Sequence, residues 1–151
     1  MEVLAKLEKW EETKKRAKEF LDPKLEYNQY APFVSYALAQ AYENLGEKDN
    51  AQITYFQVYS TYRGLIKVSA PSLKSYMEIL WDRNNPATEK TPADRQFAYE
   101  IGRKFIKATA AIPQDDRVPE EEKELWEEVK KLTLTYEANP STKAIKEAKN
   151  K

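Results

Sequence analysis

The sequence predicts an all-α protein made of antiparallel helical hairpins stacked on one another, and three observations carry that expectation. Apolar residues recur at the three-and-four spacing of an amphipathic helix along most of the chain. Only three glycines occur in 151 residues, too few for a β fold that must turn repeatedly. Apolar residues make up 41% of the chain and aromatic residues 12%, enough to build a core and too many for a disordered segment. At this length one domain over residues 1–151 is expected, able to bury about two-thirds of the surface that its unfolded chain exposes.

The first helix is expected over 2–21. Val3, Leu7, Trp10, Ala17 and Leu21, with Leu4 and Phe20 beside them, form a stripe that only Lys14 interrupts, and Asp22-Pro23 stops it. The second, over 31–45, opens with Pro32 in its first turn and ends at Gly46, the residue type suited to a left-handed C-terminal cap. Asp49 is the expected cap of a third helix over 49–62. So few residues separate the second and third that they should form an antiparallel hairpin. Ser69 to Ser72, "SAPS", offers serine caps and an early proline for a fourth helix over 70–83 carrying Leu73, Tyr76, Met77, Leu80 and Trp81. "NNPATEK" reads as a loop from its Asn-Pro signal. The fifth helix, over 92–112, takes Thr91 as cap, Pro92 at its first position and Asp94 in the acidic third place, with Phe97, Ile101, Phe105, Ala108 and Ile112 on one face. The sixth, over 119–137, begins with the acidic run "PEEEKE", which suits the positive end of a helix dipole, and carries Leu125, Val129, Leu132 and Tyr136. A short lysine-rich helix is expected over 141–149.

Charge is distributed unevenly along these elements. Residues 27–62 hold four charged side chains in 36, whereas residues 1–26 hold fourteen and residues 115–151 hold eighteen. Charged side chains are almost never fully buried unless paired, so the second and third helices are expected to form an inner layer between wetter neighbours. Over the whole chain, 25 basic residues balance 25 acidic ones, and no overall field draws the protein to nucleic acid or an anionic bilayer. Histidine and cysteine are absent. That excludes Ser/His and Cys/His nucleophile pairs, zinc sites of the usual ligand sets, cysteine-ligated iron–sulfur clusters and disulfides, and no cofactor is expected. No uncharged apolar run approaches the roughly 18 residues of a membrane span, and the N-terminal residues mix acids with bases where a signal peptide has an apolar core. A soluble chain is expected, compatible with cytoplasm or periplasm alike.

Within the central hairpin, Leu38-Ala39 and Tyr42 on the second helix are followed by Gly46 at the turn and by Ala51 and Tyr55 on the third. Over residues 32–63 this spacing resembles a tetratricopeptide repeat, although Ser35 replaces its aromatic and Arg63 stands where proline is frequent. A step of 34 residues from Tyr42 reaches Tyr76, and Ala98 and Gly102 supply the small residues of a degenerate second repeat. The resemblance is to tetratricopeptide-containing bacterial proteins, and it implies a short α-solenoid whose first and sixth helices cap the stack. It also implies a non-enzymatic scaffold that binds a peptide or protein in a concave groove, through positions that here are Phe33, Tyr36, Gln40, Glu43 and Asn44. That set has no lysine or arginine, so a clamp for a C-terminal carboxylate is not implied. Phe33 and Tyr36 can be read as lining an open groove or as packing on the first helix.

Two other functions fit the same chain. One is a structural segment of a longer helical solenoid, without a ligand of its own. The other is a carboxylate-dependent all-α hydrolase using Glu78 and Asp82 beside Trp81, since glycosidases need paired carboxylates and often stack sugars on aromatic rings. For the acidic run Glu120 to Glu124, helix capping explains more than calcium binding, because the loop spacing that wraps the ion is absent. In "IGRKFIK", residues 101–107, the basic groups are expected to snorkel from a core helix rather than to form a nucleic-acid face.

Overall fold

The computed structural model describes residues 2–21, 29–82 and 91–138. They form six α-helices: α1 (Glu2–Phe20), α2 (Ala31–Asn44), α3 (Lys48–Thr61), α4 (Ile66–Asp82), α5 (Thr91–Ala108) and α6 (Glu120–Glu137), with one 3₁₀ turn, Ile112–Gln114, ahead of α6. No strand occurs among the described residues, and the protein is all-α. The chain divides into two compact units, residues 1–72 and 73–151, with the boundary inside α4. The Asp22-Pro23 stop, the "NNPATEK" loop and the expected helix over 141–149 lie outside the described residues.

In the first unit α2 packs on both α1 and α3. Pro32 occupies the first turn of α2, where its missing N–H has no intrahelical partner to lose. The helix ends through Gly46, whose φ of 79° is the left-handed conformation that glycine adopts without strain. The Gly46 N–H donates to the Glu43 carbonyl and the Glu47 N–H to the Tyr42 carbonyl, the paired bonds of a Schellman cap. The chain therefore reverses within three residues and α3 returns antiparallel to α2. Between the two helices Ala39 and Ala51 are fully buried, so the backbones approach closely. Leu38, Tyr42, Tyr55 and Val58 fill the space around that contact, each worth about 1.5–3 kcal/mol if burial of a large apolar side chain is taken as the guide. The Tyr55 hydroxyl donates to Glu43 Oε1 at 2.8 Å, so the ring is buried while its polar tip stays satisfied.

α1 is fastened to this hairpin by Ala17, which is buried, and by two basic side chains. Lys14 Nζ donates to Glu47 Oε2 at 3.0 Å, and Lys18 Nζ lies 5.7 Å from the Tyr42 ring centroid. Its hydrogen bond to Glu47, more than any other interaction, holds the Lys14 ammonium above its ordinary pKa. Asp49, expected as the cap of α3, lies in the first turn of that helix, and the capping position belongs to Glu47. Along α3, Ala51, Tyr55, Val58 and Tyr59 are buried, while Ile53 is 57% exposed and Phe56 37%.

In the second unit three helical segments run up, down and up. Tyr76 meets Phe97 edge-on at 6.4 Å and Arg95 lies over Trp81, which makes α4 and α5 antiparallel. Tyr99 donates to Glu137 and Trp126 to Thr109, which makes α5 and α6 antiparallel as well. The helices meet at Gly102. A Cβ there would lie 2.6 Å from Met77 Cε and closer still to Thr133 Oγ1, so only glycine fits between α4 and α6. Nearer the end of α6, Trp81 and Tyr136 stack with centroids 3.9 Å apart and planes 5° from parallel. Trp126 Nε1 donates to Thr109 Oγ1 at 2.7 Å, which in turn donates to the Phe105 carbonyl at 2.6 Å.

Two boundaries differ from expectation. α4 begins at Ile66 rather than 70, so Pro71 sits inside the helix; the Lys67 carbonyl that its absent N–H would have met belongs to an exposed residue. α5 ends at Ala108 rather than 112, and Ile112 falls in the 3₁₀ turn.

The fit at Gly102 predicts that Gly102→Ala lowers stability by about 1–3 kcal/mol, the usual cost of forcing a methyl into a packed core, seen as a lower urea midpoint at unchanged slope. A second prediction concerns alkaline pH. Burial, reinforced by the charges of Glu78 and Asp82, raises the Tyr136 phenol well above its ordinary value of 10.0, and burial raises Tyr59 in the same direction. The protonated phenols favour the folded state, so this stabilisation is complete below pH 10 and is lost as pH rises beyond it. Melting temperature should fall above pH 10, and Tyr136→Phe should flatten that fall by up to about 1.4 kcal/mol per pH unit.

Candidate functional site

α1 and α2 lie antiparallel, and their side chains do not close over one another along the whole length. Thr13, Arg16, Ala17 and Phe20 share one face of α1 at helical spacing, and Phe33, Val34 and Ala37 share the facing side of α2. Between them is an open groove of about 550 Å³, into which Tyr30 also faces from the residue before α2. Its walls are mostly carbon. Phe33 keeps 46% of its surface exposed there, and Tyr30 is also exposed. Arg16 stands on the α1 side and pairs with Glu12 at 2.7 Å along the same helix. Apart from that guanidinium no charged group among the described residues lines the groove, whose character suits an apolar side chain.

The five residues expected at the site part company. Phe33 lines the groove. Tyr36 is half-buried against α3, its ring 6.1 Å from that of Tyr55 at a tilt of 56°. Glu43 is half-buried and accepts the Tyr55 hydroxyl. Gln40 is half-buried, and Asn44 is exposed and donates to the Gln40 carbonyl at 2.7 Å, a bond within α2. Of the two readings of the aromatic pair, each therefore holds for one residue: Phe33 faces an open groove and Tyr36 packs, though on α3 rather than on α1. The α1 wall was not among the expected residues. Its signal is the i, i+3, i+4, i+7 run of Thr13, Arg16, Ala17 and Phe20.

A second cleft, of about 460 Å³, opens on the other flank of α2, where Leu21 faces Leu38, Tyr42, Thr54 and Gln57. Among the described residues no charged side chain lines it.

The remaining constellations resolve into packing. Trp81 is engaged by the protein itself, stacked on Tyr136 and overlaid by the Arg95 guanidinium at 4.8 Å, so its ring is not laid open for a sugar. Glu78 and Asp82 act electrostatically on Tyr136. Glu120, Glu121 and Glu122 occupy the first turn of α6, and among the described residues no group of three or more carboxylates is placed to hold a metal ion. In α5, Ile101 and Phe105 are buried while Arg103, Lys104 and Lys107 point to solvent. No helix among the described residues is long and apolar enough to cross a membrane.

The different placements of the two α2 aromatics give a direct expectation. Phe33→Ala should change stability by no more than about 0.5 kcal/mol, whereas Tyr36→Ala should cost about 1–2 kcal/mol by removing a ring that packs on Tyr55. Urea denaturation of the two single variants measures the difference.

No family model matches the chain, and no curated protein or solved structure matches it either.

Proposed function

We propose that this chain is a non-enzymatic, tetratricopeptide-like helical scaffold that binds a peptide or protein partner through the groove between α1 and α2. The observation that carries this reading is the half-exposed Phe33 in an apolar groove of about 550 Å³, on a surface otherwise rich in charge. The small residues that the repeat pattern needs, Ala39 and Ala51, are fully buried at the hairpin contact, and Tyr42 and Tyr55 are buried beside them, which supports the resemblance. Binding would use a preformed site. α1 is already fastened by Lys14 and Lys18, so little ordering opposes association. The partner is a segment carrying an aromatic or branched aliphatic anchor, seated between Phe20 and Phe33.

Selection of a displayed random-peptide library on the immobilised chain tests this. Enriched sequences should share one apolar anchor, and Phe33→Ala and Ala37→Glu should each weaken the selected peptides about tenfold or more while helical content is unchanged. Absence of enrichment, or equal binding by both variants, overturns the proposal.

A further inference from the structure

The cleft beside Leu21 holds a polar group that the fold leaves unsatisfied. Tyr42 lines it with a side chain only 8% exposed, yet the phenol has no hydrogen-bond partner among the described residues. A tyrosine buried to that extent ordinarily finds a partner for its hydroxyl, as Tyr55 does in Glu43. Lys18 does not supply one, because its ammonium lies over the Tyr42 ring, 5.7 Å from the centroid. The same condition recurs around the cleft. Ser35 on α2 and Gln57 and Thr61 on α3 line it, and no hydrogen bond within the described residues engages the side chain of any of the three. Leu38 and Val58, both buried, add an apolar floor.

At about 460 Å³ the cleft falls within the range of small-molecule sites, about 300–1,000 Å³. Its chemistry limits what can occupy it. A charged ligand would lose water and find no counter-charge among the lining residues. A wholly apolar ligand would strand the phenol and the hydroxyls against carbon. What fits is an uncharged molecule with hydroxyls around its edge and C–H bonds on its faces, which is the make-up of a sugar ring. We propose that this cleft binds a neutral mono- or disaccharide, with a C–H face on Leu38 and Val58 and its hydroxyls on Tyr42, Ser35, Gln57 and Thr61. Each hydroxyl both donates and accepts, and the Gln57 amide adds two donors and an acceptor, so sugar hydroxyls can be met in either sense. Affinity is weak, because these neutral hydrogen bonds replace others already made to water. The site shares no residue with the groove at Phe33 and does not rest on the function proposed for it.

Saturation-transfer difference NMR of the full chain with glucose, N-acetylglucosamine, maltose and cellobiose tests the proposal, with glucuronate and glucose 6-phosphate as charged counterparts. At least one neutral sugar should bind reversibly with a millimolar Kd, and the charged pair about tenfold more weakly or not at all. Tyr42→Phe removes the hydroxyl alone. It should weaken the bound sugar about three- to tenfold without lowering the urea midpoint, since no hydrogen bond within the protein is lost. Thr61→Val, at an exposed position, should weaken it in the same sense and keeps the test valid if Tyr42→Phe disturbs the hairpin, which circular dichroism reports. Failure of all four neutral sugars to bind overturns the proposal. So does equal binding of the charged pair, or a bound sugar indifferent to both variants.

Discussion

The first unit depends on backbone-level contact between α2 and α3. Ala39 and Ala51 have no accessible surface, and a larger side chain at either position would push the helices apart. With the axes separated, Tyr42 and Tyr55 would no longer fill the gap they now close, and the Tyr55 hydroxyl would lose its reach to Glu43. The same device serves the second unit at Gly102, where even a methyl is excluded by Met77 and Thr133. Small residues thus set the spacing, and the aromatic residues around them supply the area.

Electrostatics has a lesser and different part. The pairs of Arg16 with Glu12 and Arg117 with Asp115 lie at the surface, and such pairs contribute little to stability. Lys14 with Glu47 is more informative because it joins α1 to the start of α3 across 33 positions of sequence. Together with Lys18 over Tyr42 it selects where along the hairpin α1 lies, and that placement leaves the groove open beside Phe33. The basic side chains of α1 act as a register device between surfaces whose adhesion comes from burial.

The hairpin was legible in the sequence because its ends carry strong local signals. Pro32 and Gly46 bracket α2, and the glycine takes the positive φ that its position suggested. The start of α4 was less legible, since Pro71 reads naturally as an opening residue yet is tolerated a turn further in. The end of α5 was overextended because Ala108 and Ile112 continue the apolar period, while Thr109 leaves the helix to receive Trp126, a contact 17 residues away that periodicity cannot register. At the candidate site Phe33 followed from the resemblance to a repeat. Its partners on α1 did not, because Thr13 and Arg16 are polar and their role depends on how two helices lie together.

The three tryptophans are divided between the units, Trp10 in the first and Trp81 and Trp126 in the second. Trp81 is locked face to face with Tyr136, and Trp126 is held through its indole N–H, so both sense rigid surroundings that melting would erase. The molecule thus carries its own optical labels. Keeping one indole at a time turns intrinsic emission into a readout of whether the two halves melt as a single cooperative body or in sequence.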